Sequence, residues 1–160
     1  MQPFRIINDH KGVIQDVCWN RLEANIFGSC GDDKHMILYD LRQEKYTNIV
    51  EAHTKEINSI DFNYFNKNLI ITGSNDKTIS LWDSRNLNIK LHSFEHHRHE
   101  VNNARWNPKH EIIFASSGND RRVNVWDISK IGNDIGPVEA EDGPIELIVN
   151  LIELISFNFL

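Results

Sequence analysis

The sequence predicts an all-β fold assembled from repeated four-stranded blades, and three observations carry that prediction. The first is a recurring set of residue types. A His is followed 23 residues on by an Asp, and 29 residues on by an aromatic residue that precedes a second Asp: His10–Asp33–Tyr39–Asp40, His53–Asp76–Trp82–Asp83 and His97–Asp120–Trp126–Asp127. A Ser or Thr stands four residues before each first Asp, as Ser29, Thr72 and Ser116. The second observation is the period. Successive copies start 43 and 44 residues apart, and a repeat of about 40–45 residues ending in Trp-Asp marks a β-propeller blade. The third is the texture of each copy, in which short β-rich runs are broken by Asn, Asp and Gly.

The second copy displays the elements in order. Glu56 to Phe62 alternates, with Ile57, Ile60 and Phe62 apolar, and predicts an inner strand. Leu69 to Ser74 is a short apolar run, Asn75-Asp76-Lys77 a turn, and Thr78 to Asp83 the strand carrying Trp82. Ile89 to Phe94 is expected to supply the fourth strand. The chain divides accordingly into repeats at 1–52, 53–96 and 97–130, an acidic segment at 131–147, and an apolar tail at 148–160 that matches no blade strand. Blades bury their faces only against neighbours. Three blades do not close a ring, so a fragment or truncated product is expected. Met1 to His10 lacks the basic region and apolar run of a signal peptide. Cys18 and Cys30 have no metal spacing and fall in strand positions, as ordinary core residues in a reducing compartment would.

The recurring side chains invite a hydrolase reading, since Ser, His and Asp are all present. A catalytic triad is not needed three times in one chain, and no nucleophile elbow, phosphate loop or metal ligand set accompanies it. The set resembles the tetrad of WD-repeat blades. There His, Ser/Thr, Asp and Trp form a buried hydrogen-bond chain, and such a network fixes one geometry only when fully satisfied. The resemblance implies structural tetrads His10–Ser29–Asp33–Tyr39, His53–Thr72–Asp76–Trp82 and His97–Ser116–Asp120–Trp126. Tyr39 replaces Trp in the first copy, and that blade is expected to be weaker. His92, His96, His97 and His99 cluster, but His97 belongs to a tetrad and no Cys pairs with them. Neither a metal nor a cofactor is expected.

Charge is informative once divided. All 17 Lys and Arg lie in residues 1–130, with 17 of the 23 Asp and Glu, so this part is neutral. Residues 131–160 carry Asp134, Glu139, Glu141, Asp142, Glu146 and Glu153 and no Lys or Arg, and therefore hold the whole net charge of −6. Direct nucleic-acid binding, which needs clustered Lys and Arg, is not expected. The apolar tail is shorter than a bilayer span and is interrupted by Glu153, so no membrane association is expected either.

Three segments are more specific than a generic blade: Leu87 to Glu95, Ala115 to Ile131, and Ala140 to Leu147. Together with Asp16-Val17-Cys18-Trp19, Phe27-Gly28-Ser29, Thr72-Gly73-Ser74 and Leu81-Trp82-Asp83, they resemble the histone-binding WD40 subunits of chromatin complexes. These are the retinoblastoma-binding proteins, which also serve as the subunit of chromatin assembly factor 1 and of remodelling, deacetylase and polycomb complexes. The resemblance runs from His10 to Leu147, as three of seven blades. It implies a nuclear, non-enzymatic scaffold that binds the third and fourth core histones, basic peptides of chromatin cofactors and other complex subunits. It also implies two sites. Glu139, Glu141 and Asp142 match a loop that holds a helix of the fourth histone, and carboxylates accept charge-assisted bonds from its Arg and Lys. Gln15, Glu56, Asn58, Glu100 and Asn102, just after each tetrad His, match a top face that takes the tail of the third histone. Gln15 stands where that family has an acid. A second reading rests on Tyr39-Asp40-Leu41-Arg42 and Trp82-Asp83-Ser84-Arg85. They fit the W-D-x-R rim of substrate receptors for cullin-4 ubiquitin ligases, with Arg42 and Arg85 as the contact residues.

Overall fold

The computed structural model describes residues 5–132 and 147–150 and consists of three antiparallel four-stranded sheets. The first holds β1 (Ile14–Trp19), β2 (Ile26–Gly31), β3 (His35–Asp40) and β4 (Tyr46–Glu51) in sequential order. The second holds β5 (Ile57–Phe62), β6 (Leu69–Ser74), β7 (Ile79–Asp83) and β8 (His92–Phe94). The third holds β9 (Val101–Trp106), β10 (Ile113–Gly118), β11 (Val123–Asp127) and β12 (Leu147–Asn150). Strand β1 packs against β5, and β5 against β9. The sheets are thus three consecutive blades of a propeller, joined through their first strands.

Two elements differ from the sequence reading. Strand β8 is short because Leu87 turns inward and is buried with Trp82 between the first two blades. That turn carries Asn88–Lys90 out of register, and pairing resumes only where Leu91 N–H donates to Leu81 O. The second difference lies at the end of the third blade. Residues 148–150, expected to match no strand, continue β12, whose Val149 pairs with Val125 and Asn150 with Asn124. The third blade therefore takes its fourth strand from beyond the acidic segment.

Alternation along each strand builds the contacts between blades. Ile57, Ile60, Phe62, Ile70 and Trp82 of the second blade bury one face against Cys30, Met36 and Leu38 of the first. Ile71, Ile79, Leu81 and Phe94 bury the other face against Val101, Ala104, Trp106, Phe114 and Trp126 of the third. Each such side chain contributes about 1.5–3 kcal/mol when fully buried. The first contact requires Gly28, because a Cβ there would lie 2.7 Å from Ile60 Cδ1.

Polar latches cross the same contacts. Asp16 Oδ2 accepts from Ile60 N–H at 3.0 Å, and Ser59 Oγ, one repeat later, accepts from Ala104 N–H at 2.9 Å. Asp61 Oδ2 accepts from Trp106 N–H at 2.8 Å. On the opposite edge, Asn20 Nδ2 donates to Lys67 O and Asn63 Nδ2 to Glu111 O, at 2.9 and 2.8 Å. These Asn residues, with Asn107, stand ten residues after each tetrad His. That regular spacing was a readable signal for the latch.

Candidate functional site

Each tetrad is built from four elements of one blade. The His lies in the loop entering the first strand, the Ser or Thr on the second strand, the Asp in the hairpin turn, and the aromatic residue on the third strand. In the second blade His53 Nδ1 lies 3.0 Å from Asp76 Oδ2, and His53 Nε2 lies 2.8 Å from Thr72 Oγ1. Trp82 Nε1 donates to the same Thr72 oxygen at 3.0 Å. The third blade repeats this with His97, Asp120, Ser116 and Trp126, at 2.9, 2.8 and 2.9 Å. A neutral His satisfies every group: Trp N–H to hydroxyl, hydroxyl to Nε2, and Nδ1–H to carboxylate. In the first blade His10 meets Asp33 at 2.9 Å and Ser29 at 2.7 Å. There Ser29 interacts with the Tyr39 phenol, whose pKa is raised by burial.

The Asp residues also close the hairpin turns. Asp76 accepts from Thr78 N–H and Oγ1–H at 3.0 and 2.7 Å, and from Thr54 N–H at 3.2 Å. Burial pushes its carboxyl up, but the bonds from His53 and Thr78 outweigh this and hold it well below 3.8. Asp33 and Asp120 are lowered the same way, burial again being overcome by donated bonds. Lys34, Lys77 and Arg121 follow the three Asp residues at φ 66, 77 and 64°. This left-handed conformation closes each turn. The Ser and Thr hydroxyls are buried beneath the aromatic ring, each holding two partners. Each hydroxyl is already engaged within its tetrad, and a set that makes the same structural bonds in three successive blades is not a catalytic triad.

The top edge, where the His loops and hairpin turns meet, gathers the five residues expected for peptide binding. Gln15 donates to Asp32 Oδ1, Asn58 to Asn75 Oδ1 and Asn102 to Asn119 Oδ1, each at 2.7 Å. Asn58 also donates to Val101 O of the third blade at 2.8 Å. Its amide is thus committed to holding two blades together, rather than left open for a ligand. Glu56 and Glu100 each accept a bond from the turn Asn, Asn75 and Asn119 respectively. Both carboxyls are held below the usual range, first by their own backbone N–H and then by these Asn. Lys34 and Lys55 lie near Glu56, while His99 and Lys55 lie near Glu100. The two carboxylates are ionised and oriented, but neighbouring cations partly neutralise them.

Arg42 and Arg85 occupy the opposite edge in matching geometry. Each folds back on the Asp two residues before it, Arg42 Nη2 meeting Asp40 Oδ2 at 2.6 Å and Arg85 Nη2 meeting Asp83 Oδ2 at 2.5 Å. Ser129 holds the equivalent place on Asp127. A local turn closure accounts for both Arg. Glu139, Glu141 and Asp142 lie outside the described residues. Among the described residues no three His, Cys, Asp or Glu side chains gather where they could hold a metal ion.

Comparison with known families adds one finding. The family described as WD domain, G-beta repeat, matches residues 1–40, 44–83 and 88–127. Each of those ranges takes in all four residues of one tetrad, and the sheets, tetrads and latches above give the match its physical content. Repeats of this kind build protein-interaction scaffolds. The chain belongs to the WD40-repeat family.

Proposed function

We propose that this chain is a nuclear, non-enzymatic scaffold that binds core histones and similar basic peptides within chromatin complexes. The observation that carries the reading is the pair Glu56 and Glu100. Two ionised carboxylates stand at equivalent positions of adjacent blades, each held by the Asn of its hairpin turn. Preorganised carboxylates suit Arg and Lys. The resemblance of Ala140–Leu147 to a histone-binding loop, and the net charge of −6 carried by residues 131–160, support a second contact through Glu139, Glu141 and Asp142. Titration of this chain with two histone peptides at one fixed salt concentration tests both. Glu100→Lys is expected to weaken binding of a third-histone tail peptide several-fold and to leave a fourth-histone helix peptide unchanged. Glu141→Lys with Asp142→Lys should do the reverse, since like charges across an interface repel. Equal losses for both peptides in both variants would refute two distinct sites. The ligase-adaptor reading keeps one support, the exposed and matching guanidiniums of Arg42 and Arg85. It requires Arg42→Ala with Arg85→Ala to abolish capture by a cullin-4 adaptor while sparing histone binding.

A further inference from the structure

The first blade presents a face that is exposed here, while its counterparts in the second and third blades are buried. At the repeat offsets, Ile14, Val17, Trp19 and Phe27 correspond to Ile57, Ile60, Phe62 and Ile70, and then to Val101, Ala104, Trp106 and Phe114. Those eight counterparts are at most 3 % exposed. Ile14, Val17 and Trp19 are 51, 58 and 50 % exposed. Ile14 and Val17 border a hollow of about 230 Å³ that Ile7, Phe27 and Tyr39 also line, with Asp9 and the tetrad His10 and Ser29 on its polar side. Trp19, Phe27 and Tyr39 stand in a row with ring centroids 5.1 and 4.8 Å apart.

What covers such a face is visible twice within the chain: the outer side of the preceding blade. The third blade still has an outer side of its own. Val123 and Val125 stand where Met36 and Leu38, and then Ile79 and Leu81, press on the next blade. Val123 is 40 % exposed. The latches recur too. Asn103 occupies the position of Asp16 and Ser59, and its side-chain oxygen can accept from a facing N–H. Asn107 occupies the position of Asn20 and Asn63, and its Nδ2 has no hydrogen-bond partner among the described residues. Only Arg105 breaks the pattern. It replaces the acceptor Asp61 and turns instead to Asp16 Oδ2 and Ile60 O.

We propose that a second copy of this chain docks the outer side of its third blade onto the open face of the first blade, head to tail. The contact repeats the one that joins the blades internally. Val123 and Val125 fill the hollow, Asn103 accepts from the partner's Val17 N–H in place of that N–H's own 2.9 Å bond to Asp16 Oδ1, and Asn107 donates to the partner's Ala24 O. Two latches of three are present, so the junction is weaker than the internal ones. Because the contact uses two different surfaces, it closes into a ring only if its rotation allows, and otherwise propagates.

Sedimentation of the whole chain across about 1–100 µM, the range of a moderate association, tests this. Mass should rise with concentration. Trp19→Arg and Val123→Arg, both at exposed positions, should each weaken association about thirtyfold or more, the scale of a lost anchor residue. Circular dichroism checks that both variants remain folded. Asn107→Ala, milder still, should weaken it about fivefold. The decisive arm mixes the two Arg variants. Each retains one intact surface, so together they should form a one-to-one pair and stop there. A monomer at every concentration would overturn the proposal. So would an inert mixture, or association that Trp19→Arg abolishes and Val123→Arg leaves unchanged, since the open face would then pair with something other than the third blade.

Discussion

Replacing Asp76 with Ala isolates what one tetrad contributes. The substitution removes the acceptor of five donors: His53 Nδ1, the N and Oγ1 of Thr54, and the N and Oγ1 of Thr78. The His53 side chain is fully buried, and a buried donor left unpaired costs about 1–3 kcal/mol. The turn donors lie nearer solvent and re-pair with water, adding about 0.5–1 kcal/mol. One contact limits the loss: Thr78 Oγ1 lies 3.2 Å from His53 Nδ1 and can accept in place of the carboxylate. The expected destabilisation is about 2–3 kcal/mol. In the third blade Arg122, a donor, stands where Thr78 does. Asp120→Ala therefore has no such rescue and should cost more than Asp76→Ala. Urea unfolding followed by tryptophan fluorescence measures both. The His53→Ala, Asp76→Ala double variant should lose well under the sum of the single losses. An Asp76→Ala effect below about 0.5 kcal/mol, within the range of an ordinary surface change, would refute the reasoning. So would strict additivity with His53→Ala.

Three further outcomes follow from the geometry. The tetrad Asp carboxyls are held below their ordinary 3.8, so their stabilisation is complete above that value and is lost as pH falls through it towards the lower folded values. Acid titration from pH 5 downward should unfold the wild type over this interval, and Asp76→Ala should show a shallower dependence. Burial pushes the Cys18 thiol up to about 11 and raises Cys30 as well; a thiol reagent at pH 8 should label Cys18 slowly and Cys30 only after unfolding, and fast labelling of Cys30 would contradict its burial. Asn124 is fully buried, with both amide atoms unpaired among the described residues, while Ile37 fills the equivalent position of the first blade. Asn124→Val should therefore raise the unfolding free energy by about 1 kcal/mol, which a thermal melt would reveal.

The legibility of this chain follows the repeat. His, Ser/Thr, Asp and Trp were readable because all four must meet within one blade, and the constant blade geometry fixes their sequence offsets. The inner strands were readable for the same reason. Strand β8 was read as longer than it is, because Ile89 and Leu91 are apolar yet stand on the surface, while Leu87 does the burying. Strand β12 was not readable, because an acidic segment of variable-looking composition separates Leu147 from Trp126 and breaks the offset. The top-edge residues were expected just after each tetrad His, and Gln15, Asn58 and Asn102 stand near the starts of β1, β5 and β9. Their engagement with Asp32, Asn75 and Asn119 recurs within each blade at a constant spacing of 17 residues, whereas the crossing of Asn58 to Val101 O depends on which blade stands beside which. One copy of the repeat contains no such information.

The Asn latches bear on how such an array arises. Asn20 and Asn63 supply a side chain, but what receives it is a main-chain carbonyl, at Lys67 in one case and at Glu111 in the other. Residues of opposite charge serve equally well because only the backbone takes part. A gene duplication that appends a blade thus brings a usable acceptor whatever its loop sequence, and the donor is copied with it. The array can lengthen by one unit without a matched change on two surfaces. Drift in the receiving loops then remains free to diversify the rim.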